Sequence, residues 1–372
     1  MSTKCGRNSF PPDEKNGIFR YTRSMFFHSK PLVSVCIPVY NSEPYLMRCL
    51  ESVAAQDFPG AKTEIIIVND ASCGTDADGN DCAAIVKSFK KQHKRNIKLF
   101  CHTRNKGLVE ARRTAICEAE GEYICIVDSD DWLTPGALRL LYEAAQNTGA
   151  DIVQGKANAV LPPDFSFLSK DEQSSVKKTA EKKQKTANIT SKEPLLGKDI
   201  LKGYTVLRNH SGFLWGKLIL RETYLNALEH IPPIFCTMLE DTIQYFFIAF
   251  EAKKYVSIDA TVYNYSINTG ISTGTRITTL SQWEHICSAA SVFTALFDEI
   301  SRLPKDSFLP EEMYAVKKEC RGMLRKNIQQ MDFVTPELKK EARNILCEYW
   351  GHSFVQEVEC EIKTDGNSTA SS

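Results

Sequence analysis

The feature that most restricts how this chain can fold is a series of short β-branched segments separated by stretches of helical character, starting at Val33. Val33-Ser-Val-Cys-Ile37 is followed by a helical stretch near 43–56, Glu64-Ile-Ile-Ile-Val68, a helix near 80–93, a strand at Ile97–Cys101, a helix near 107–119 and a strand at Tyr123–Val127. Strands and helices alternating in this way predict an α/β fold with a mostly parallel sheet covered by helices on both faces. In such sheets ligands sit beyond the carboxyl ends of the strands. Three of these strands end in polar residues, Tyr40-Asn41, Asn69-Asp70 and Asp128-Ser-Asp-Asp131, so the site is expected there.

The 372 residues exceed one typical domain of about 100–200, which predicts an α/β part with a smaller C-terminal part. Residues 1–30 read as a polar lead-in with an aromatic cluster, Tyr21 and Met25-Phe26-Phe27, that suits packing better than membrane anchoring. Residues 31–265 form the expected catalytic domain, with a donor half at 33–135 and a second half at 196–265. A helix near 135–148 and a strand near Asp151–Gln154 lie between them. Residues 161–195 are polar and Lys-rich and read as an exposed insertion, most simply a solvated loop, with contact to an anionic acceptor or a membrane surface as the alternative. A helix around Glu240–Ala252 and a short strand at Tyr255–Ile258 are expected next. At 280–350, Ile286, Ala290, Phe293 and Phe297 recur at helical spacing, and a disordered tail is expected over 364–372.

Lys+Arg and Asp+Glu are both 46, so the whole-chain charge gives no reason to expect DNA or RNA as a partner. The 13 cysteines are odd in number and sit in apolar runs such as Val35-Cys36-Ile37, which suits a reducing compartment better than a disulfide frame. No pair has zinc-type spacing. No apolar leader or spanning stretch of about 18 residues is seen, so a cytoplasmic protein is expected.

The strongest chemical signal is Asp128-Ser129-Asp130-Asp131 at a strand end. Three carboxylates packed together repel unless a cation or solvent neutralises them. Mg²⁺ or Mn²⁺ takes oxygen ligands and bridges carboxylates to substrate phosphates, so the spacing suits a nucleotide diphosphate; the plainer reading is an Asp-rich turn capping the next helix. Asp70 at the sheet edge could accept hydrogen bonds from a base or ribose, or be a turn residue. Pro38-Val39-Tyr40-Asn41 places an aromatic ring where stacking on a base would gain about 1–3 kcal/mol.

Taken in order, these segments resemble the family 2 glycosyltransferases, which have the GT-A fold. The resemblance lies in Val33-Ser-Val-Cys-Ile-Pro-Val-Tyr-Asn41, Gln56, Glu64-Ile-Ile-Ile-Val-Asn-Asp70, Asn105-Lys-Gly107 with Ala111-Arg112, and Gly121-Glu-Tyr-Ile-Cys-Ile-Val-Asp-Ser-Asp-Asp131, and extends over about 33–265. It implies a nucleotide-sugar donor held by Pro38, Tyr40, Asn41, Asp70, Asn105, Gly107, Arg112, Asp128 and Ser129. Within that set Tyr40 and Asp70 would hold base and ribose, Arg112 would favour the phosphates, and Asp128 and Asp130 would face Mn²⁺ or Mg²⁺. The chain departs from the commoner Asp-Asp-Gly-Ser pattern, with Asn69-Asp70-Ala71-Ser72, and Arg113 stands where relatives often have Asn.

Leu214-Trp-Gly-Lys-Leu218 and Leu239-Glu-Asp-Thr242 resemble segments that follow the donor half in bacterial members, where the acidic pair supplies the base. A positioned carboxylate that deprotonates a sugar hydroxyl contributes about 10²–10⁴-fold. Asp241 is the expected base, with Glu240 as its orienter or substitute. The plainer reading is two acids in a helix's first turn. Trp215 and Lys217 are read as contacts to acceptor or diphosphate, or as a core residue and a surface residue. The implied reaction is inverting transfer from a UDP-sugar to a saccharide or lipid-linked acceptor in surface polysaccharide or glycoconjugate synthesis. It would take place in the cytoplasm or at the inner face of the plasma membrane, with homo-oligomerisation left open. An inert nucleotide-sugar-binding protein of the same fold and a nucleotidyltransferase are the competing readings, although no Gly-rich phosphate loop follows the first strand.

Overall fold

The computed structural model describes residues 31–59, 62–162, 166, 169–267 and 276–369, with side chains to 364. The lead-in at 1–30 lies outside them. The elements run β1 (Val33–Val39), α1 (Glu43–Ala54), β2 (Thr63–Asn69), α2 (Cys82–Gln92), β3 (Asn96–Cys101), α3 (Leu108–Cys117), β4 (Tyr123–Ile126), β5 (Trp132–Leu133), α4 (Ala137–Thr148) and β6 (Ile152–Val160). They continue with α5 (Lys170–Ala187), β7 (Leu195–Leu196), α6 (Lys198–Lys202), β8 (Lys217–Leu220), α7 (Arg221–Glu229), α8 (Glu240–Glu251) and β9 (Lys254–Ser266). Five helices close the chain: α9 (Leu280–Cys287), α10 (Ala289–Arg302), α11 (Pro310–Gln330), α12 (Lys339–Trp350) and α13 (His352–Thr369).

One sheet has the order β3-β2-β1-β4-β8-β6-β9-β5, with β7 also on β9. The first four strands are parallel, β8 is antiparallel to both its neighbours, and β6 and β9 are parallel to each other. Because successive side chains point to opposite faces, the apolar run Ile65-Ile66-Ile67-Val68 feeds two cores. Ile65 and Ile67 pack with Val35 and Ile37 on the side of α1, α2 and α4. Ile66 and Val68 pack with Cys36, Ile124 and Ile126 on the side of α3, α7 and α8. Each fully buried aliphatic side chain is worth about 1.5–3 kcal/mol, so strands buried on both faces fix this register.

The C-terminal helices form a third core around Trp283, whose Nε1 donates to the Ala342 carbonyl at 2.6 Å, with Leu324, Leu346 and Trp350. It joins the sheet's second core through α10, where Val292 and Leu296 pack with residues of α8.

Two expectations need correction. Most of the Lys-rich insertion is an 18-residue helix, not a loop: Ser169 and Glu172 form a reciprocal capping box, and the helix interior is rich in Lys, Gln, Glu and Ala, all good helix formers. The last helix runs to Thr369 through most of the expected tail, since extending a packed helix costs far less than starting one; residues 370–372 lie outside the described residues. No helix among the described residues is long and apolar enough to cross a membrane.

Candidate functional site

The carboxyl ends of β1, β2, β4 and β9 bring Tyr40, Asp70, Asp128 and Ser266 to one edge of the sheet. The chain leaves β1 through Asn41, at φ 52°. Asn41 is held there because its N–H donates to Ser72 Oγ at 2.7 Å and its Oδ1 accepts from Cys73 N–H at 3.1 Å. Pro38 is buried in β1, whereas the Tyr40 ring is 42% exposed and open to a stacking partner. After β2, Asn69 Oδ1 accepts from Ser72 N–H at 2.8 Å, closing a turn that holds Ala71 at φ 57°. That is a left-handed conformation suited to the glycine of the commoner pattern.

Asp70 is buried and already engaged. Its carboxylate pairs with His102 Nδ1 at 2.6 Å and accepts from the N–H groups of Lys106 at 2.9 Å and Gly107 at 2.8 Å. His102 is held from behind by Thr114 Oγ1 at 2.9 Å. Asn105 Oδ1 also accepts from Gly107 N–H at 2.9 Å. Gly107 has φ 88°, and a Cβ there would come within 3.3 Å of the Phe235 ring. Asp70 and Asn105 therefore shape the 105–107 loop.

The acidic strand tip divides its labour. Asp131 is buried, with Oδ2 accepting from the Tyr263 hydroxyl at 2.8 Å and Oδ1 from Ser266 N–H at 2.7 Å. The same Tyr263 oxygen accepts from Asp128 N–H at 3.0 Å. Ser266 Oγ and Arg48 donate to the Asp130 carbonyl at 2.7 and 2.6 Å, and Ser129 Oγ meets Ser42 Oγ at 2.6 Å. Asp131 thus anchors the turn from below, and Asp128 and Asp130 are the half-buried acids above it.

Across from this turn α8 begins with Glu240 and Asp241, in the first turn where a helix's positive end favours acids, after Leu239 at φ 62°. Arg112 of α3 joins the two segments. It is 1% exposed, donating through one terminal nitrogen to Asp241 Oδ1 at 2.6 Å and through the other to Asp128 Oδ1 at 3.1 Å. The sequence suggested that Arg112 meets donor phosphates. In the structure both its terminal nitrogens donate to carboxylates. Burial opposes its charge, but Asp241, Asp128 and Glu240 outweigh that and keep it cationic.

One guanidinium serves three carboxylates here, with Asp130 close by. Burial, together with the charges of Asp241 and Asp130, pushes Asp128 up to about 6 against the pull of Arg112. Burial and Asp241 push Glu240 up to about 7. This excess negative charge and the oxygen-only donor set suit a hard divalent cation. Among the described residues no three His, Cys, Asp or Glu side chains converge as a metal cage.

Lys217 is buried, not at the surface: its ammonium donates to Ser211 Oγ at 3.1 Å and to the Phe213 carbonyl, and lies over the Tyr245 ring at 4.7 Å. Burial lowers it to about 7, against the pull of Asp241. Trp215 is a packing residue, stacked on Tyr263 at 4.8 Å and Phe213 at 4.5 Å. Arg113 donates to the Leu228 and Ile231 carbonyls at 3.0 and 2.6 Å, fixing the end of α7. Sequence reasoning missed Tyr263, Ser266, Arg48 and His102; Tyr263 and Ser266 come from the end of β9, more than 130 positions after the acids they hold, and no local pattern marks them.

Residues 34–195 match the family model described as Glycosyl transferase family 2. A stretch of 125 residues, 33% of this chain, is 40% identical to Glycosyltransferase GlyG of Streptococcus pneumoniae, covering 38% of that protein. Another of 129 residues, 34% of the chain, is 37% identical to the poly(ribitol-phosphate) beta-glucosyltransferase of Bacillus spizizenii, covering 19% of it. The matched part thus spans well under half the length of these relatives. A mannosyltransferase from Pyrobaculum calidifontis, solved in complex with GDP-Man and Mn²⁺, superposes with a TM-score of 0.50 at 16% identity, over 89% of this chain and 87% of that one. That likeness carries the fold alone, which is GT-A.

Proposed function

We propose that this chain, whose residues 34–195 match the model of glycosyl transferase family 2, transfers a sugar from a nucleotide-diphosphate sugar, a UDP-sugar by expectation, to an acceptor hydroxyl with inversion. The observation that carries the reading is the Asp128–Arg112–Asp241 bridge, which sets a strand-tip acid and a helix-start acid on either side of one buried guanidinium. A displacement at an anomeric carbon needs both: a place for the departing diphosphate and a base for the incoming hydroxyl.

Tyr40, exposed at the end of β1, would stack on the base, and the 105–107 loop shaped by Asp70 would line the ribose side. Asp128 and Asp130 would hold Mn²⁺ or Mg²⁺, which when bound offsets the charge growing on the diphosphate. Asp241, fixed by Arg112 and 21% exposed, would take the proton from the acceptor hydroxyl. Glu240, pushed up by burial and by Asp241, would orient Asp241 or replace it as the base. Attack from the side opposite the departing nucleoside diphosphate inverts the anomeric centre. Relatives that act in polymer synthesis, such as the poly(ribitol-phosphate) transferase, support a role in surface polysaccharide or glycoconjugate assembly, with a saccharide or lipid-linked acceptor.

The test is turnover of nucleotide sugars by the wild type and by Asp241→Asn. The variant should keep nucleoside diphosphate binding and lose transfer by about 10²-fold or more. Transfer at the original rate would place the base elsewhere, and a wild type that binds nucleotide sugars without releasing product would be an inert binder.

A further inference from the structure

Two features lie outside this chemistry, the ring stack beside Asp131 and the Lys-rich helix α5. Tyr263, whose hydroxyl serves Asp128 and Asp131, is the inner layer of the stack. Trp215 lies on it with planes 11° apart, and Phe213 and Tyr265 cover Trp215 at 4.5 and 5.2 Å. Over the outer rings sits the Lys183 ammonium of α5, 5.5 Å from the centroid of Phe213 and 5.4 Å from that of Tyr265. The C-terminal half of α5 is firmly attached to β6: Ala159 N–H donates to Gln184 Oε1 at 3.1 Å, and the Asn188 side chain pairs with both the N–H and the carbonyl of Ala157 at 2.7 and 3.0 Å.

Residues 177–185 carry five lysines and one acid, Glu181, a net charge of +4 (five minus one) in a chain whose total charge is zero. Lys178, Lys182 and Lys185 follow i, i+4, i+7 spacing and so share one face of the helix. All three are exposed. Like charges at this spacing weaken a helix by a few tenths of a kcal/mol per pair, so the ridge costs stability unless something anionic lies along it. A membrane surface fits poorly, because an interfacial helix needs large apolar anchors such as Trp, Phe or Leu, and α5 has none.

We infer that α5 and the ring stack form the docking track for a linear polyanionic acceptor. Repeating negative charges would lie along Lys178, Lys182 and Lys185, and the terminal hydroxyl unit would pass Lys183 and the rings toward Asp241. This rests on the transferase reading and adds the acceptor's chemical class to it.

The test is fluorescence anisotropy of the full chain with labelled linear polyphosphate and, as the neutral control, labelled dextran. Polyphosphate should bind, weakening between about 50 and 200 mM salt as counterion release requires, and dextran should not. The triple variant Lys178→Gln/Lys182→Gln/Lys185→Gln should lose about tenfold or more in affinity while its melting temperature stays level or rises slightly as the like-charge repulsion is removed. Glu181→Lys should tighten binding, a gain that a purely structural helix would not give. Displacement by polygalacturonate would show that charge alone is read, and its failure would point to phosphate; both outcomes support the track. Wild-type affinity in the folded triple variant together with no gain from Glu181→Lys overturns the inference, as does binding to phosphatidylglycerol vesicles without binding to polyphosphate. UDP binding by the wild type, measured alongside, separates the two readings: if UDP binds and the lysine variants change nothing, only the track fails.

Discussion

Replacing Arg112 with Met keeps the apolar stem and removes the guanidinium between Asp128 and Asp241. Arg112 is 1% exposed, and its charge is met in the folded state by those two carboxylates. Removing one partner of a buried ion pair costs about 3–5 kcal/mol, because the opposite charge is left uncompensated. Here the orphaned acids are 23% and 21% exposed and are screened in part by solvent, which sets the expectation at the low end, about 3 kcal/mol. Urea unfolding at pH 7 reads this as a lower midpoint at unchanged slope. Asp241→Asn in the same background removes one of the uncompensated charges, so the double variant should be less damaged than the sum of the singles by about 1–3 kcal/mol. A loss below about 1 kcal/mol, or strict additivity in the double variant, would refute the idea that Arg112 welds the strand tip to the start of α8.

Ala71→Gly should stabilise the protein by about 0.5–1 kcal/mol. A non-glycine residue in the left-handed region costs about 1–2 kcal/mol, and the greater freedom of glycine in the unfolded chain takes part of that back; a loss of stability on this substitution would contradict the φ of 57°. His210 is buried against Tyr255, and burial, with the Lys217 charge as a lesser cause, depresses it to about 3. The unfolded chain then binds a proton that the folded one refuses, so this contribution is complete above the ordinary imidazole range and is lost as pH falls toward the folded value, by up to about 1.4 kcal/mol per unit. The drop in urea midpoint between pH 7 and pH 5 should shrink in His210→Phe, and an identical drop in the two proteins would exclude it.

The parallel half of the sheet was readable because β1, β2 and β4 are buried on both faces and therefore appear as unbroken apolar runs. The same logic hid most of β9, expected only over Tyr255–Ile258: beyond Ile258 it alternates between partly exposed and buried positions, and Asp259, Thr261 and Asn264 break the apolar run. The insertion misled for the opposite reason. Its scarcity of large apolar residues suggested a loop, although Ser169 three residues before Glu172 is a capping signal and the residues between the caps favour a helix. At the site, residue types and order pointed to Asp128 and Asp241, but the guanidinium that joins them comes from a helix 16 positions before one and 129 before the other. Likewise nothing local separates Asp131, locked by Tyr263 and Ser266, from Asp130 beside it. That division exists only once β9 lies against the turn.

Calorimetric titration of UDP into the protein, with and without Mn²⁺, tests the central claim most directly when wild type and Asp130→Asn are compared. The account predicts tight binding by the wild type only when the metal is present, and loss of that metal dependence in the variant. Equal affinity with and without Mn²⁺, unchanged by the substitution, would contradict it.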